Sequence, residues 1–302
     1  MDTPGHGGES AMSYDYRDKV IAITGGAGDI AGAFIRPAAL RGARIAVIDI
    51  RGERARAVAA ELSGSGHRGY ACDLTELSQV EGLVADLERD HGWLDVLVNT
   101  VGMSSQERFD ERDVASIRRE LEVNLISPLV LTRLAIPLLR AAHDPRVVTT
   151  VSLGGIFPLG ETPIYTASKF GLRGAMLAIG LDLAAKGITV SSVLPSATDT
   201  RMLRQEAVEG GNALQFQDAP QPPASVAKAM MSLLDKPRLE AYPRLSESLL
   251  VRFGTLFPNR LPQLMKLFRK KGDRGLATYL RRMEAEGYAV RTASGWELVE
   301  SD

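Results

Sequence analysis

A tyrosine and a lysine that could transfer a proton lie four residues apart, at Tyr165 and Lys169. If the segment is helical, residues at this spacing share one face, so the phenol and the ammonium become neighbours. A free tyrosine has a pKa of about 10, too high for easy exchange near neutrality, and a close ammonium lowers that pKa. The pair therefore predicts a general acid and base for an alcohol oxygen. The alternative is a solvated helix face that carries both residues without a reaction.

A glycine-rich turn follows the first predicted strand and runs from Thr24 to Gly32. Glycines let the backbone approach a pyrophosphate closely, and the helix that follows offers free N–H groups and a favourable dipole. The turn therefore predicts a dinucleotide-phosphate site. The alternative is a tight strand-to-helix turn without a ligand.

The second predicted strand ends at Asp49, about 20 residues after the turn. In a dinucleotide-binding fold, a carboxylate at this place hydrogen-bonds the ribose 2′-hydroxyl of NAD and repels the 2′-phosphate of NADP. We therefore expect NAD, with NADP the weaker cofactor, although Arg51 lies close by. The alternative for Asp49 is a solvated acid in a loop.

Short apolar runs alternate with helical segments between residues 19 and 193, which is typical of βαβ units with a parallel sheet. We expect an α/β, doubly wound Rossmann-type domain at 17–245, a flexible leader at 1–16 and a mainly helical extension at 246–302. Pro37 should kink the first helix or shift its boundaries. The predicted strands are 20–24, 45–49, 69–73, 95–99, 146–152, 188–194 and 239–242, and the main predicted helices are 30–41, 77–89, 111–139 and 225–235.

Several motifs, in order and at the right spacing, resemble those of the short-chain dehydrogenase/reductase family over about 60% of the chain. The glycine turn resembles TGxxxGxG, with Asp29 and Ala31 in place of two glycines. The family's NNAG corresponds to Asn99, Thr100, Val101 and Gly102, its adenine-contacting pair to Asp73 and Leu74, and its PGxxxT to Pro195–Thr200. Its catalytic tetrad corresponds to Asn124, Ser152, Tyr165 and Lys169.

The resemblance implies an NAD(H)-dependent oxidoreductase that interconverts a secondary alcohol and its ketone. Ser152 would donate a hydrogen bond to the substrate oxygen, Lys169 would also hold the nicotinamide ribose, and Asn124 would hold a water that links Lys169 to solvent. A homo-oligomer, either a dimer or a tetramer, is expected. The cofactor contacts implied are Thr24, Gly25, Gly28, Asp29, Ile30, Asp49, Asp73, Leu74, Asn99, Thr100, Gly102, Tyr165, Lys169, Pro195, Thr198 and Thr200.

Asp29 is the most serious departure from the family pattern, because an acid beside a pyrophosphate is unfavourable. An aspartate can instead cap the start of a helix. We therefore expect Asp29 to cap the helix that follows the turn. Cofactor affinity is the property that this substitution affects.

Composition limits the other possibilities. The net charge of -1 gives no reason to expect a nucleic-acid partner, and the single cysteine, Cys72, cannot form an internal disulfide. Neither a signal peptide nor an uninterrupted apolar span is expected, and a cytoplasmic location follows. The four histidines show no metal-ligand spacing and are expected at the surface, so no metal site is predicted.

The segment 195–223 reads as a mobile loop that could act as a lid, and the tail after it is apolar and basic. Such a tail can pack on its own domain, cover the active-site mouth, bury itself in a second subunit or lie on an anionic membrane, and we favour packing and subunit contact over the membrane. A terminal hairpin is predicted at 289–299.

The substrate is expected to be hydrophobic, and the alternative function is a dinucleotide-binding regulatory or interaction protein with little turnover. The substrate expectation depends on the segment 153–159 and on Leu203, Leu214, Phe216, Phe253 and Phe257. The apolar tail includes Leu249, Leu250, Val251, Phe253, Met265 and Phe268.

Overall fold

The computed structural model describes residues 13–246, 252 and 255–299. Its main sheet has seven parallel strands in the order β3-β2-β1-β4-β5-β6-β7, and helices cover both faces. The chain starts in the middle of the sheet and winds outward in both directions, which confirms the predicted doubly wound α/β fold. The strands are β1 (Val20–Thr24), β2 (Arg44–Asp49), β3 (Arg68–Ala71), β4 (Val96–Asn99), β5 (Arg146–Thr150), β6 (Thr189–Val193) and β7 (Glu240–Ala241).

Strands at the centre of the sheet are buried on both faces, which is why they read as continuous apolar runs. Every residue of β1 and of β4 is buried. The helices are α1 (Asp29–Leu40), α2 (Gly52–Glu61), α3 (Leu77–His91), α4 (Val114–Leu121), α5 (Ser127–Arg140), α6 (Pro163–Ala184), α7 (Arg201–Val208) and α8 (Pro223–Asp235).

Pro37 lies inside α1, whose first and last residues each lie one position before the predicted ones, and a kink there stays a prediction. Two other expectations about the helices need correction. The predicted helix at 111–139 is three elements, because a π-helical turn at Glu122–Ile126 separates α4 from α5. The predicted loop at 195–223 contains α7 and a short 3-10 turn at Ala213–Phe216.

The continuous helical run Val114–Arg140 is long enough and apolar enough to cross a membrane by length and composition alone, with a mean hydropathy of 1.4 over its most apolar window. Core helices of globular proteins pass the same test. Here Leu131, Ala135 and Leu139 are buried in the cluster beneath the sheet. We therefore interpret this run as a core helix of the domain.

The N-terminal segment joins the domain earlier than predicted. Tyr16 is buried in the main core, and the backbone N–H of Tyr14 donates to Asp235 over 2.9 Å. Residues 1–12 of the predicted leader lie outside the described residues. One histidine also differs from the prediction, because His91 is buried beside the Tyr70 hydroxyl.

The tail folds back onto the domain through one long helix, Leu261–Ala285, which we call the tail helix. Its Tyr279 and Met283 form a third apolar cluster with Leu203 of α7 and with Phe216. The predicted terminal hairpin is confirmed as β8 (Ala289–Thr292) and β9 (Gly295–Leu298). Leu249, Leu250, Val251 and Phe253 of the predicted apolar tail lie outside the described residues.

Candidate active site

The proposed proton-transfer residues meet at the carboxyl end of β5. Ser152 follows this strand, and Tyr165 and Lys169 lie one turn apart on α6. The Lys169 Nζ lies 5.6 Å from the centre of the Tyr165 ring, and the Ser152 hydroxyl lies close enough to lower the pKa of Tyr165. A Cβ on Gly154 would lie 3.1 Å from the Tyr165 ring and 3.3 Å from the Ser152 Oγ, so no larger residue fits between them without a shift.

Burial controls the electrostatics of this pair. It raises the pKa of Tyr165 above its usual range, the nearby Ser152 hydroxyl lowers it, and the charges of Glu206 and Glu120 raise it. Burial also lowers the pKa of Lys169 to about 8, against the opposing effect of Glu120. The expected depression of the Tyr165 pKa is therefore wrong for the protein alone. Instead the phenol stays protonated, and Lys169 releases its proton more readily than a free lysine does.

Asn124 is fully buried in the π-helical turn between α4 and α5. Its Oδ1 accepts from the backbone N–H of Met103, and its Nδ2 donates to the Met103 carbonyl, both over 2.8 Å, and to the Ser168 Oγ over 3.2 Å. These bonds connect the loop after β4 to the residue beside Lys169. Single π turns frequently occur at functional sites. The side chain is thus engaged with protein, and its role in holding a water stays a prediction.

A buried ion pair, Arg112 and Glu120, acts on Lys169 through the charge of its carboxylate. The Arg112 Nη2 contacts the Glu120 carboxylate at 2.6 Å, and both side chains are almost completely buried. The Glu120 carboxylate acts on Lys169 and favours its charged form. Sequence reasoning missed this pair, because the two residues look like the polar face of a solvated helix.

The glycine turn has the shape that a dinucleotide requires. Gly25 has a φ of 60°, which favours glycine, and a Cβ on Gly26 would lie 2.5 Å from the Val47 side chain. The Thr24 Oγ1 accepts from the backbone N–H of Thr100 over 3.1 Å, which holds the loop after β4 against the turn. The residues present therefore fit a close approach of a pyrophosphate to the backbone.

Asp29 does not cap α1, contrary to our expectation. Gly28 is the capping residue, and Asp29 is the first residue of the helix. The Asp29 Oδ2 instead accepts a hydrogen bond of 2.7 Å from the backbone N–H of Arg201, the first residue of α7. The carboxylate is thus directed across the turn toward the segment after β6.

Asp49 lies at the end of β2 and is 8% exposed. Its Oδ2 accepts from the backbone N–H of Ala27 in the glycine turn over 3.2 Å, and its Oδ1 accepts from the backbone N–H of Arg51 over 3.1 Å. It is therefore not a solvated loop acid. A cavity of about 410 Å³ is lined by the glycine turn, including the Ala27 that is bonded to Asp49, and by Arg36 and Arg54.

The other predicted cofactor residues lie at the same edge of the sheet, after strands β3, β4 and β6. The Asn99 amide donates to Thr132 and Thr149, and its Oδ1 is buried without a hydrogen-bond partner among the described residues. The Asp73 carboxylate accepts from Thr75, which lowers its pKa. The remaining predicted residues in this region form or border the active-site cavity: Ile30, Thr100, Gly102, Pro195, Thr198 and Thr200 line it, whereas Leu74 packs on the core.

A cavity of about 530 Å³ opens beside Ser152, Tyr165 and Lys169. Its lining is mainly apolar and comes from both the domain and the tail. The predicted Leu203, Leu214 and Phe257 line it, whereas Phe216 lies in the third apolar cluster instead. Phe157 and Leu159 of the predicted apolar segment 153–159 also line the cavity, as do Met265 and Phe268 of the predicted apolar tail, whereas sequence reasoning missed Met202, Glu206, Gln215 and Gln217.

Known proteins share this arrangement of strands and motifs. A family model for short chain dehydrogenase matches residues 19–209. The D-threitol dehydrogenase of Mycolicibacterium smegmatis is 29% identical over 213 residues, 68% of this chain and 82% of that protein. The 7alpha-hydroxysteroid dehydrogenase of Bacteroides fragilis is 30% identical over 185 residues, 60% of this chain and 71% of that protein.

A solved short chain dehydrogenase/reductase from Burkholderia phymatum, in complex with NAD, has the same fold. Its TM-score is 0.74 at 19% identity, and the match covers 82% of this chain and 96% of that one. The fold, the family match over more than half of the chain and the ordered motifs agree with one another. This chain belongs to the short-chain dehydrogenase/reductase family of oxidoreductases.

Proposed function

We propose that the protein is an NAD(H)-dependent oxidoreductase that interconverts a hydrophobic secondary alcohol and its ketone. The observation that carries this proposal is the meeting of Ser152, Tyr165 and Lys169 at a mainly apolar cavity of about 530 Å³. The glycine turn and Asp49 lie at the same edge of the sheet. A relative named for a hydroxysteroid, which is an apolar secondary alcohol, supports this substrate class.

The dinucleotide, when bound, supplies or accepts the hydride. The backbone of residues 25–30 would hold its pyrophosphate, Asp49 its adenosine ribose and Lys169 its nicotinamide ribose. Asp49 favours NAD over NADP, and the NAD complex of a protein with the same fold supports that choice. The altered glycine turn affects the strength of binding rather than the chemistry.

Within the chain, Ser152 donates a hydrogen bond to the substrate oxygen and stabilises its developing charge. Tyr165 transfers the proton. Because burial keeps the phenol protonated, Tyr165 is ready to give its proton to a substrate oxygen during reduction. Oxidation needs the phenolate, which the Lys169 ammonium stabilises only while Lys169 is charged, below its pKa of about 8.

The remaining expectations about assembly and location stay proposals. Val114, Phe170 and Leu181 are exposed apolar side chains on α4 and α6, which agrees with a homodimer or homotetramer. The tail helix packs on α7 and the 213–216 turn, and this contact supports its role as part of the domain rather than as a membrane anchor. A cytoplasmic location stays a prediction.

The test of the proposed function is the Tyr165→Phe variant. We expect NAD(H)-linked turnover across a panel of apolar ketones and alcohols to fall at least 100-fold, roughly the share that a positioned acid–base supplies. NADH binding, followed by fluorescence titration, should change little. Undiminished turnover would show that Tyr165 has no such role. Micromolar NADH binding by the wild type without turnover of any substrate would favour a regulatory protein instead.

A further inference from the structure

Glu206 is a buried carboxyl group in the wall of the active-site cavity. It lies on α7, is 4% exposed and lines the same cavity as Ser152 and Tyr165. The lining of this cavity is mainly apolar and includes Leu203 and Leu214, but it also includes the charged Asp218, Arg260 and Lys271. A glutamate is almost never buried this far unless it is paired or has a function.

The environment of Glu206 leaves part of its bonding capacity unused. Gln215 and Ser104 lie near the carboxyl group and lower its pKa, but its Oε2 is buried without a hydrogen-bond partner among the described residues. Burial raises the pKa of this carboxyl group, and the charges of two other acids, Glu209 and Glu120, raise it further. Burial of an acceptor without a partner is unfavourable, and a ligand that brings a donor would relieve this cost.

Gln215 adds a second acceptor to the same wall. It lines the cavity, and its Oε1 is also buried without a partner in the described part of the chain. In the described part of the chain the Gln217 Oε1 and the Thr150 Oγ1 are likewise unpartnered, and the mainly apolar lining also contains the charged Asp218, Arg260 and Lys271. A plain hydrocarbon alcohol would leave the Glu206 and Gln215 acceptors desolvated and unsatisfied.

We propose that Glu206 accepts a hydrogen bond from a second donor group on the substrate, so that the substrate is an apolar alcohol or ketone with one further hydroxyl. This inference rests on the proposed function, and it narrows the substrate class. An ammonium group offers the same donor chemistry, and the experiment below separates it from a hydroxyl. The role of Glu206 is recognition, because the proton-transfer group is Tyr165.

The test measures kcat/KM for the oxidation of three kinds of alcohol. The first is 2-decanol, the second is the series of 2-decanols that carry one more hydroxyl at carbon 4 or beyond, and the third is 10-amino-2-decanol. We expect the wild type to oxidise at least one diol with a kcat/KM tenfold or more above that for 2-decanol, about 1.4 kcal/mol. A preference for the amino alcohol over every diol would support the proposal with an ammonium as the donor.

Three variants separate recognition from a structural role. Glu206→Leu should abolish the preference by raising KM for the diol more than KM for 2-decanol. Glu206→Gln, which keeps an acceptor oxygen, should retain part of the preference. The control is Glu209→Gln, an exposed acid on the segment that follows α7, which should leave the ratio unchanged. An equal loss on all substrates, or a wild-type ratio near one throughout, would overturn the proposal.

A failure of the proposed function would look different. If the wild type oxidises none of these alcohols, calorimetric titration of the protein with NADH present still compares the binding of the diols and of 2-decanol. Tighter diol binding that Glu206→Leu removes would support the role of Glu206 without turnover. Equal binding of diols and 2-decanol would refute that role independently of the reaction.

Discussion

The Asp29 carboxylate accepts a hydrogen bond of 2.7 Å from the backbone N–H of Arg201, which joins the glycine turn to the start of α7. One residue thus combines two opposing effects on the cofactor site. Its negative charge lies at the helix end where a pyrophosphate would bind, and its oxygen connects the two segments that border the cleft. The two effects can be separated by substitution.

We expect Asp29→Asn to tighten NADH binding severalfold, because it removes the charge and keeps an acceptor for the Arg201 N–H. Asp29→Gly also removes the acceptor, so a further change in its Kd measures the contribution of the hydrogen bond. Fluorescence titration at several salt concentrations checks the cause. Salt should strengthen NADH binding more in the wild type than in Asp29→Asn, because salt screens the repulsion. Weaker binding by Asp29→Asn would contradict this account.

Asp49 should make the protein prefer NADH to NADPH by at least tenfold, about 1.4 kcal/mol. In Asp49→Ser the repulsion of the 2′-phosphate is removed, and Arg36 and Arg54 remain beside the site. We therefore expect the preference to shrink or reverse when the two Kd values are measured. The control is Glu53→Gln, an exposed acid in the first turn of α2, which should leave the preference unchanged. A wild-type preference for NADPH would show that Asp49 does not select the cofactor.

Lys169→Met should reduce turnover at least 100-fold and yet raise the melting temperature at neutral pH. The folded protein holds the pKa of Lys169 at about 8, below the 10.5 of a free lysine, so the charged form is disfavoured on folding. Between these two values the unfolded chain binds the extra proton, so wild-type stability rises with pH there. The advantage of the variant should therefore be largest below pH 8 and decline toward about pH 10.5. Melting curves across this range test it, and an advantage that grows with pH would contradict it.

Gly275→Ala should destabilise the protein although alanine is the better helix former. A Cβ on Gly275 would lie 1.8 Å from the Phe216 carbonyl, so the tail helix would have to move away from the 213–216 turn. Gly82→Ala in α3 is the matched control, because nothing lies within 4 Å of its Cβ position. The control should gain roughly 0.5–1 kcal/mol. Thermal melting compares them, and a stabilised Gly275→Ala would show that the close contact is not formed.

The strands and the proton-transfer residues could be predicted because both follow from local patterns. Buried parallel strands read as apolar runs, and β1 begins and ends at the predicted residues. Their carboxyl ends meet at one edge, which is why Ser152 and Tyr165 could be placed together from the order of the motifs. The pKa direction of Tyr165 could not be predicted, because it depends on how completely the surrounding elements exclude water.

The walls of the cavity could not be predicted, since they arise from contacts between distant parts of the chain. Pro and Gln in the segment after β6 suggested a loop, yet Leu203 and Ala207 are spaced i, i+4 and are both buried in α7. That spacing is the signal that could have found the helix and, with it, Glu206. The Asp29 contact with Arg201 spans 172 residues and leaves no local trace.

The contacts of Asp199 link the active-site cleft to the tail helix. Its carboxylate accepts from the Tyr279 hydroxyl over 2.8 Å and from the Arg204 Nε over 2.9 Å, and it pairs with Arg282. Asp199 therefore connects the segment after β6 to the tail helix, through a hydrogen bond with Tyr279 and an ion pair with Arg282. A movement of that segment changes these bonds and therefore changes the stability of the tail helix. Hydrogen exchange of the backbone amides in the tail helix should then respond when a cofactor binds at the nicotinamide end of the cleft.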